Sequence, residues 1–179
     1  SSFGTNGLLL LGDQYNTAPK GGPWSAIVSP ASGFVDPAGF GAGNVNNSSF
    51  TWVLVSNFTG SVGLDLDIYE SGAFDITPWT AILDSVGFDD GDAGDKVYLS
   101  AKVTSMSGTP DAATRFRNNN TPSTDTAWYG GDIGTNATDS IGRTYDETAV
   151  TASMQAGAQL TPGQLNYYAT VPNYRVRLN

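Results

Sequence analysis

Two acidic clusters flank one apolar block in this chain. The run GLDLDIYESGAFDITPWTAILDSVGFDDGDAGDKVY, Gly63 to Tyr98, carries Asp65, Asp67, Glu70 and Asp75, and then Asp89, Asp90, Asp92 and Asp95. Carboxylates at alternating positions around a glycine turn are the pattern by which a loop gathers six to eight oxygens on a calcium ion. Asp65 and Asp67 supply the alternation, Gly72 the turn, Ser71 and Asp75 further oxygens, and Tyr69 only its backbone carbonyl. In the second cluster four carboxylates crowd into seven residues and repel one another unless a cation or solvent screens them. The expected metal set is therefore Asp65, Asp67, Ser71, Asp75, Asp89, Asp90, Asp92 and Asp95, with Ca2+ as the ion. The competing reading is a pair of solvated turns in which aspartates cap the backbone.

Carboxylate pairs also serve glycoside hydrolysis, one residue as acid and the other as base or nucleophile. Trp24, Trp52, Trp79 and Trp128 could line a sugar site, and Trp128 with Tyr129 is the pair expected to be exposed for binding without hydrolysis. The acids, however, sit in Asp-Gly turns better suited to metal ligation. With no His and no Cys in the chain, Ser-His-Asp and Cys-His nucleophiles, His-ligated zinc and disulfides are all excluded. The expectation is a protein that is not an enzyme.

The elements that must hold these loops read as strands. Gly7–Gly12 (GLLLLG) fits a short strand buried on both faces. Phe50–Phe58 (FTWVLVSNF) is rich in aromatic and β-branched residues. Pro78-Trp79 opens a block with room for one helical turn, and Ile82–Phe88 continues as strand. In Lys96–Ser105, Val97, Leu99, Ala101 and Val103 alternate with polar residues, as in a half-buried strand. Asp111–Phe116 fits a short helix or strand, and AWYGGDI brings Trp128 and Tyr129 to a glycine turn. Near the end, Tyr174, Val176 and Leu178 alternate with Arg175 and Arg177. Gly21–Gly43, with three prolines, and Asn118–Thr126 are loops.

Composition agrees. Only 14% of the 179 residues are charged, and the chain holds 22 Gly, which favours β-structure with many turns. Glu occurs only at Glu70 and Glu147, where a helical protein would use it freely. The expected architecture is all-β, an antiparallel immunoglobulin-like or jelly-roll-type β-sandwich formed by residues 1–179 as a single domain, with at most one or two short helices. A net charge of −9 with eight Lys and Arg in all argues against nucleic-acid and anionic-membrane partners. No apolar run reaches the length of a membrane span. The start, SSFGTNG, lacks the signal-peptide pattern; a processed chain and an excised fragment both look like this.

The block from Phe50 to Tyr98, with NGLLLLG before it and TPDAATRF, NNNTP and AWYGGDI after it, resembles a segment of large secreted bacterial proteins of the lamin-tail-like class. That resemblance implies an immunoglobulin-like β-sandwich on a secreted or cell-surface protein and no catalytic activity. Tyr69 and Ser71 stand where that group usually has Asn and Asp. Together these readings lead to a secreted structural protein of the bacterial cell surface or extracellular matrix. In it, strands 7–12 and 173–179 exchange with neighbouring subunits to build calcium-stabilised filaments by self-association. The alternative is a calcium-dependent module binding carbohydrate, such as surface glycans, or another surface within a larger secreted protein.

Overall fold

The computed structural model of the chain describes residues 3, 5, 7–11, 33–35, 48–104 and 108–131. The expected strand at 173–179, and Trp24, lie outside them. Among the described residues the protein is all-β, with seven strands, one 3-10 turn at Asp125–Ala127 and no α-helix. Strands β1 (Leu9–Leu11) and β2 (Gly33–Val35) form a parallel pair. Strand β3 (Phe50–Ser56) pairs antiparallel with β4 (Ala81–Asp89), and β4 pairs in parallel with β5 (Lys102–Thr104). Strand β6 (Ala112–Arg115) and β7 (Trp128–Gly131) form an antiparallel hairpin.

The β3–β4–β5 sheet has two different faces. Residues opposite one another across a ladder share a face, so the pairs Phe50↔Phe88 and Trp52↔Val86 look one way. There Val86, Phe88 and Val103 form the buried core, against which Phe50, Trp52, Ala113 and Trp128 pack. Phe50 and Phe88 stack with centroids 4.6 Å apart. Asp84 and Arg115 pin the hairpin to this face: the Arg115 guanidinium donates to the Asp84 carboxylate and lies 5.5 Å from the Trp128 ring, while the Ser123 amide donates to the other Asp84 oxygen at 2.9 Å. The other face carries Thr51, Val53, Ser85 and Gly87.

Several expectations change at residues whose backbone departs from extended geometry. Strand β3 stops at Ser56 because Asn57 takes φ 52°, a left-handed conformation that asparagine tolerates better than most residues. The strand expected over Lys96–Ser105 is only Lys102–Thr104, since Leu99 sits at φ 66°. That bend lets Val97 and Val103, in phase for one strand, serve opposite faces of the sheet. Val97 packs over Gly87, and Val103 enters the core. No helical turn forms at Pro78-Trp79, and Asp111–Phe116 resolves as strand. AWYGGDI contributes β7 rather than a turn, and Gly130 lies so close to β6 that an added Cβ would fall 2.4 Å from the Ala112 carbonyl oxygen. Strand β1 is three residues long with Leu11 exposed, so it is not buried on both faces as GLLLLG suggested.

Candidate functional site: an acidic loop over an apolar groove

Residues 57–80 leave β3 and return to β4 as a long loop that folds back over the second sheet face. Its centre is Asp67, only 3% exposed. Oδ1 accepts from the Ser71 amide at 2.8 Å and the Ser71 hydroxyl at 3.1 Å; Oδ2 accepts from the Gly72 amide at 2.7 Å and the Tyr98 hydroxyl at 3.0 Å. The positive φ of Glu70 (52°) and Gly72 (82°) curls the chain so that both amides point inward. A carboxylate offers about four lone-pair sites, and here four donors fill them. Burial pushes the Asp67 pKa up, but the two amides and two hydroxyls outweigh it and hold the carboxyl below its ordinary value.

The neighbouring acids have smaller local roles. Asp65 Oδ1 accepts from the Asp67 amide at 3.0 Å, and Asp75 Oδ2 from the Tyr69 amide at 3.2 Å. Ser71 acts as a donor to Asp67 and accepts from the Ala73 amide at 3.2 Å. The Asp75 and Ile76 amides both donate to the Leu66 carbonyl and close the loop.

The second cluster is bound to the sheet. Asp89 pairs with Lys102 at 2.6 Å and accepts from the Gly91 amide at 2.9 Å, and chiefly the Lys102 bond lowers its pKa. Asp90 Oδ1 accepts from the Ser49 hydroxyl at 2.8 Å and the Asp92 amide at 3.0 Å. Asp95 Oδ2 accepts from the Ser49 amide at 3.2 Å and the Ser48 hydroxyl at 3.0 Å; these bonds, the amide first, hold its carboxyl below the ordinary value. Asp92 is exposed. Among the described residues no three acidic side chains gather closely enough to hold a metal ion. As arranged, four donors already occupy the Asp67 carboxylate, while Asp65, Asp75 and Asp92 are exposed.

Between the loop and β3 lies an open groove of about 670 Å³. Val53 and Val55 form part of its floor, and Phe58, Leu64, Trp79 and Tyr98 are among its walls. Phe74 braces it, stacking on Tyr98 with centroids 4.8 Å apart and meeting Trp79 edge-on at 5.3 Å. Tyr98 is fixed at both ends, its amide donating to Thr51 Oγ1 at 2.9 Å and its hydroxyl to Asp67. Sequence reasoning passed over Ser48, Ser49, Thr51 and Tyr98. The only signal for them was that each lies beside a strand end or an acidic turn in need of donors.

Two sugar-binding residues expected from sequence are placed elsewhere. Tyr129 is 0% exposed and packs on Phe116, and Trp128 is half-buried beneath Arg115 with its indole N–H enclosed and unpartnered. The sequence has Asn-X-Ser/Thr patterns at Asn46, Asn47, Asn57, Asn119 and Asn136; Asn57 and Asn119 donate to Thr80 and Thr126 respectively, and Asn46, Asn47 and Asn136 lie outside the described residues.

Burial first, then the bonds and charges of Asp67, push the Tyr98 pKa up to about 12. A raised tyrosine pKa favours the protonated folded state, so this stability is complete below about pH 10 and is lost as pH rises through about 12. The lowered carboxyls act in the opposite sense: their contribution is complete above the ordinary value of 3.8 and is lost as pH falls below it. The expected urea midpoint is level from about pH 5 to 9 and declines on both sides. Tyr98→Phe should flatten part of the alkaline limb; an unchanged alkaline decline in that variant refutes the Tyr98–Asp67 assignment.

Comparison with protein-family models, curated proteins and solved structures returns no match. No helix among the described residues is long and apolar enough to cross a membrane.

Proposed function

We propose that the chain is a non-catalytic structural domain of the secreted, cell-surface class, working as a subunit of an extracellular matrix or filament built by strand exchange. The observation that carries the reading is the use made of the acidic side chains. Asp67, Asp89 and Asp95 are each engaged by donors of the chain itself, Asp67 by Ser71, Gly72 and Tyr98, Asp89 by Lys102 and Asp95 by Ser48 and Ser49, and their pKa values are lowered rather than tuned towards neutrality. A general acid must hold a proton near the working pH, and these groups do the reverse. Apolar packing of β3–β4–β5 on the β6–β7 hairpin supports the finer reading of an immunoglobulin-like or jelly-roll sandwich. The lamin-tail-like resemblance supports the same architecture. A carbohydrate-binding module is the weaker reading, because Tyr129 is enclosed and Trp128 partly covered.

Calcium enters this proposal as an accessory ligand of the exposed loop carboxylates. Negative-stain microscopy of concentrated protein, with thermal unfolding in calcium and in chelator, tests both parts. Ordered polymers are the expected result. A site with Kd near 10 µM, in 1 mM calcium, raises stability by about 2.7 kcal/mol and the melting temperature by about 5–10 °C. Dispersed particles at every concentration overturn the assembly reading. A melting temperature that calcium leaves unchanged overturns the metal reading alone.

A further inference from the structure

Among the described residues, strand β3 lies at the edge of its sheet. It pairs with β4 on one side and, among those residues, with no strand on the other. Natural edge strands are usually short or carry charge or proline to block pairing. Seven residues long, FTWVLVS has neither. Beside this edge runs the groove, whose floor takes the alternate residues Thr51, Val53 and Val55. A sheet edge beside an apolar groove suits the addition of a strand, in which main-chain hydrogen bonds supply affinity and alternate side chains supply specificity.

The sequence contains a segment of matching chemistry. Tyr174, Val176 and Leu178 alternate with Arg175 and Arg177. At roughly 3.3 Å per residue, the three apolar side chains span about 13 Å, the same as Thr51 to Val55. Two of the eight basic residues lie in this stretch of a chain whose net charge is −9, so the field of a second copy attracts it. Resting on the strand-exchange reading above, we infer that the outer edge of β3 receives Tyr174–Leu178 from a second copy, with Tyr174, Val176 and Leu178 facing the groove. The two arginines then emerge on the Leu54 face, where Leu54 is 38% exposed and their alkyl stems can cover apolar surface.

The test uses the full chain and a labelled synthetic peptide, NYRVRLN. Leu54 is exposed enough to accept a charge without loss of the fold. Leu54→Lys should weaken peptide binding at least about threefold by placing like charge beside the arginines, and Leu54→Glu should tighten it by a similar factor. Hydrogen exchange should show peptide-dependent protection of the amides of Thr51–Ser56, and Val176→Asp should abolish self-association in sedimentation. If the chain associates but neither Leu54 substitution alters peptide binding, this assignment fails and strand exchange at another site survives. A chain that stays monomeric at every concentration, with no peptide-dependent protection at β3, overturns both.

Discussion

Asp67→Ala is expected to lower the melting temperature by on the order of 10 °C and to loosen the wall of the groove. The carboxylate is the common acceptor for the Ser71 and Gly72 amides and the Ser71 and Tyr98 hydroxyls, so its removal leaves four donors without their partner. Tyr98 then loses one of its two anchors, which loosens its stack on Phe74 and, through Phe74, the edge-on contact with Trp79. The near-UV circular dichroism and the Trp79 contribution to fluorescence should change with the melting temperature. Asp67→Asn should be nearly as harmful, because an isosteric amide turns an NH2 group towards at least one of the donors. Asp65→Asn in chelator is the control: Asp65 is exposed and accepts one amide bond, so a change of about 1–2 °C is expected there. Repeating the series in chelator separates two roles. A hydrogen-bonding hub loses the same stability with or without calcium, whereas a calcium ligand loses it only when calcium is present. An Asp67→Ala chain that melts with the native protein refutes the hub.

The all-β class was legible in the sequence because it rests on features that act locally. Alternation and β-branching in FTWVLVS, and apolar continuity in AILDSVGF, report the central β3–β4 pair directly. Other features depend on partners distant in sequence. The strand expected at Lys96–Ser105 keeps perfect alternation, yet Leu99 at φ 66° breaks it, held between the Tyr98 bond to Thr51 and the Ser100 hydroxyl bond to the Ser123 carbonyl. Neither anchor can be read from the segment itself. Trp128 and Tyr129 looked like a display pair because glycines follow them, but those glycines permit close pairing of β6 and β7 and so enclose Tyr129. In the acidic loops the sequence shows the carboxylates but not their bonding partners. Spacing shows where carboxylates lie along the chain, but not that Ser48, Ser49, Tyr98 and Lys102 arrive from elsewhere to bond them.

The same long-range dependence makes Gly87→Ala the sharper test of the central sheet. Gly87 is buried in β4, and a Cβ there would lie 2.0 Å from Val97 Cγ1, far inside contact distance, and 3.3 Å from the Ala101 carbonyl oxygen that accepts the Gly87 amide. Either Val97 moves or the β4–β5 pairing opens, and overpacking of this kind costs about 1–3 kcal/mol, a fall of roughly 2–12 °C in melting temperature. The φ of Gly87 lies outside the left-handed range, so strain at the residue itself is not the cause. Shortening Val97 should therefore reverse the sign. In a Val97→Ala background the 2.0 Å contact is gone, and Gly87→Ala should become neutral or stabilising by up to about 1 kcal/mol, because alanine restricts the unfolded chain more than glycine does. The double-mutant cycle should show a coupling energy of about 1–3 kcal/mol between residues ten apart in sequence. Additive effects would mean that Val97 does not cross over Gly87, and the path of residues 96–101 over the sheet would have to be redrawn.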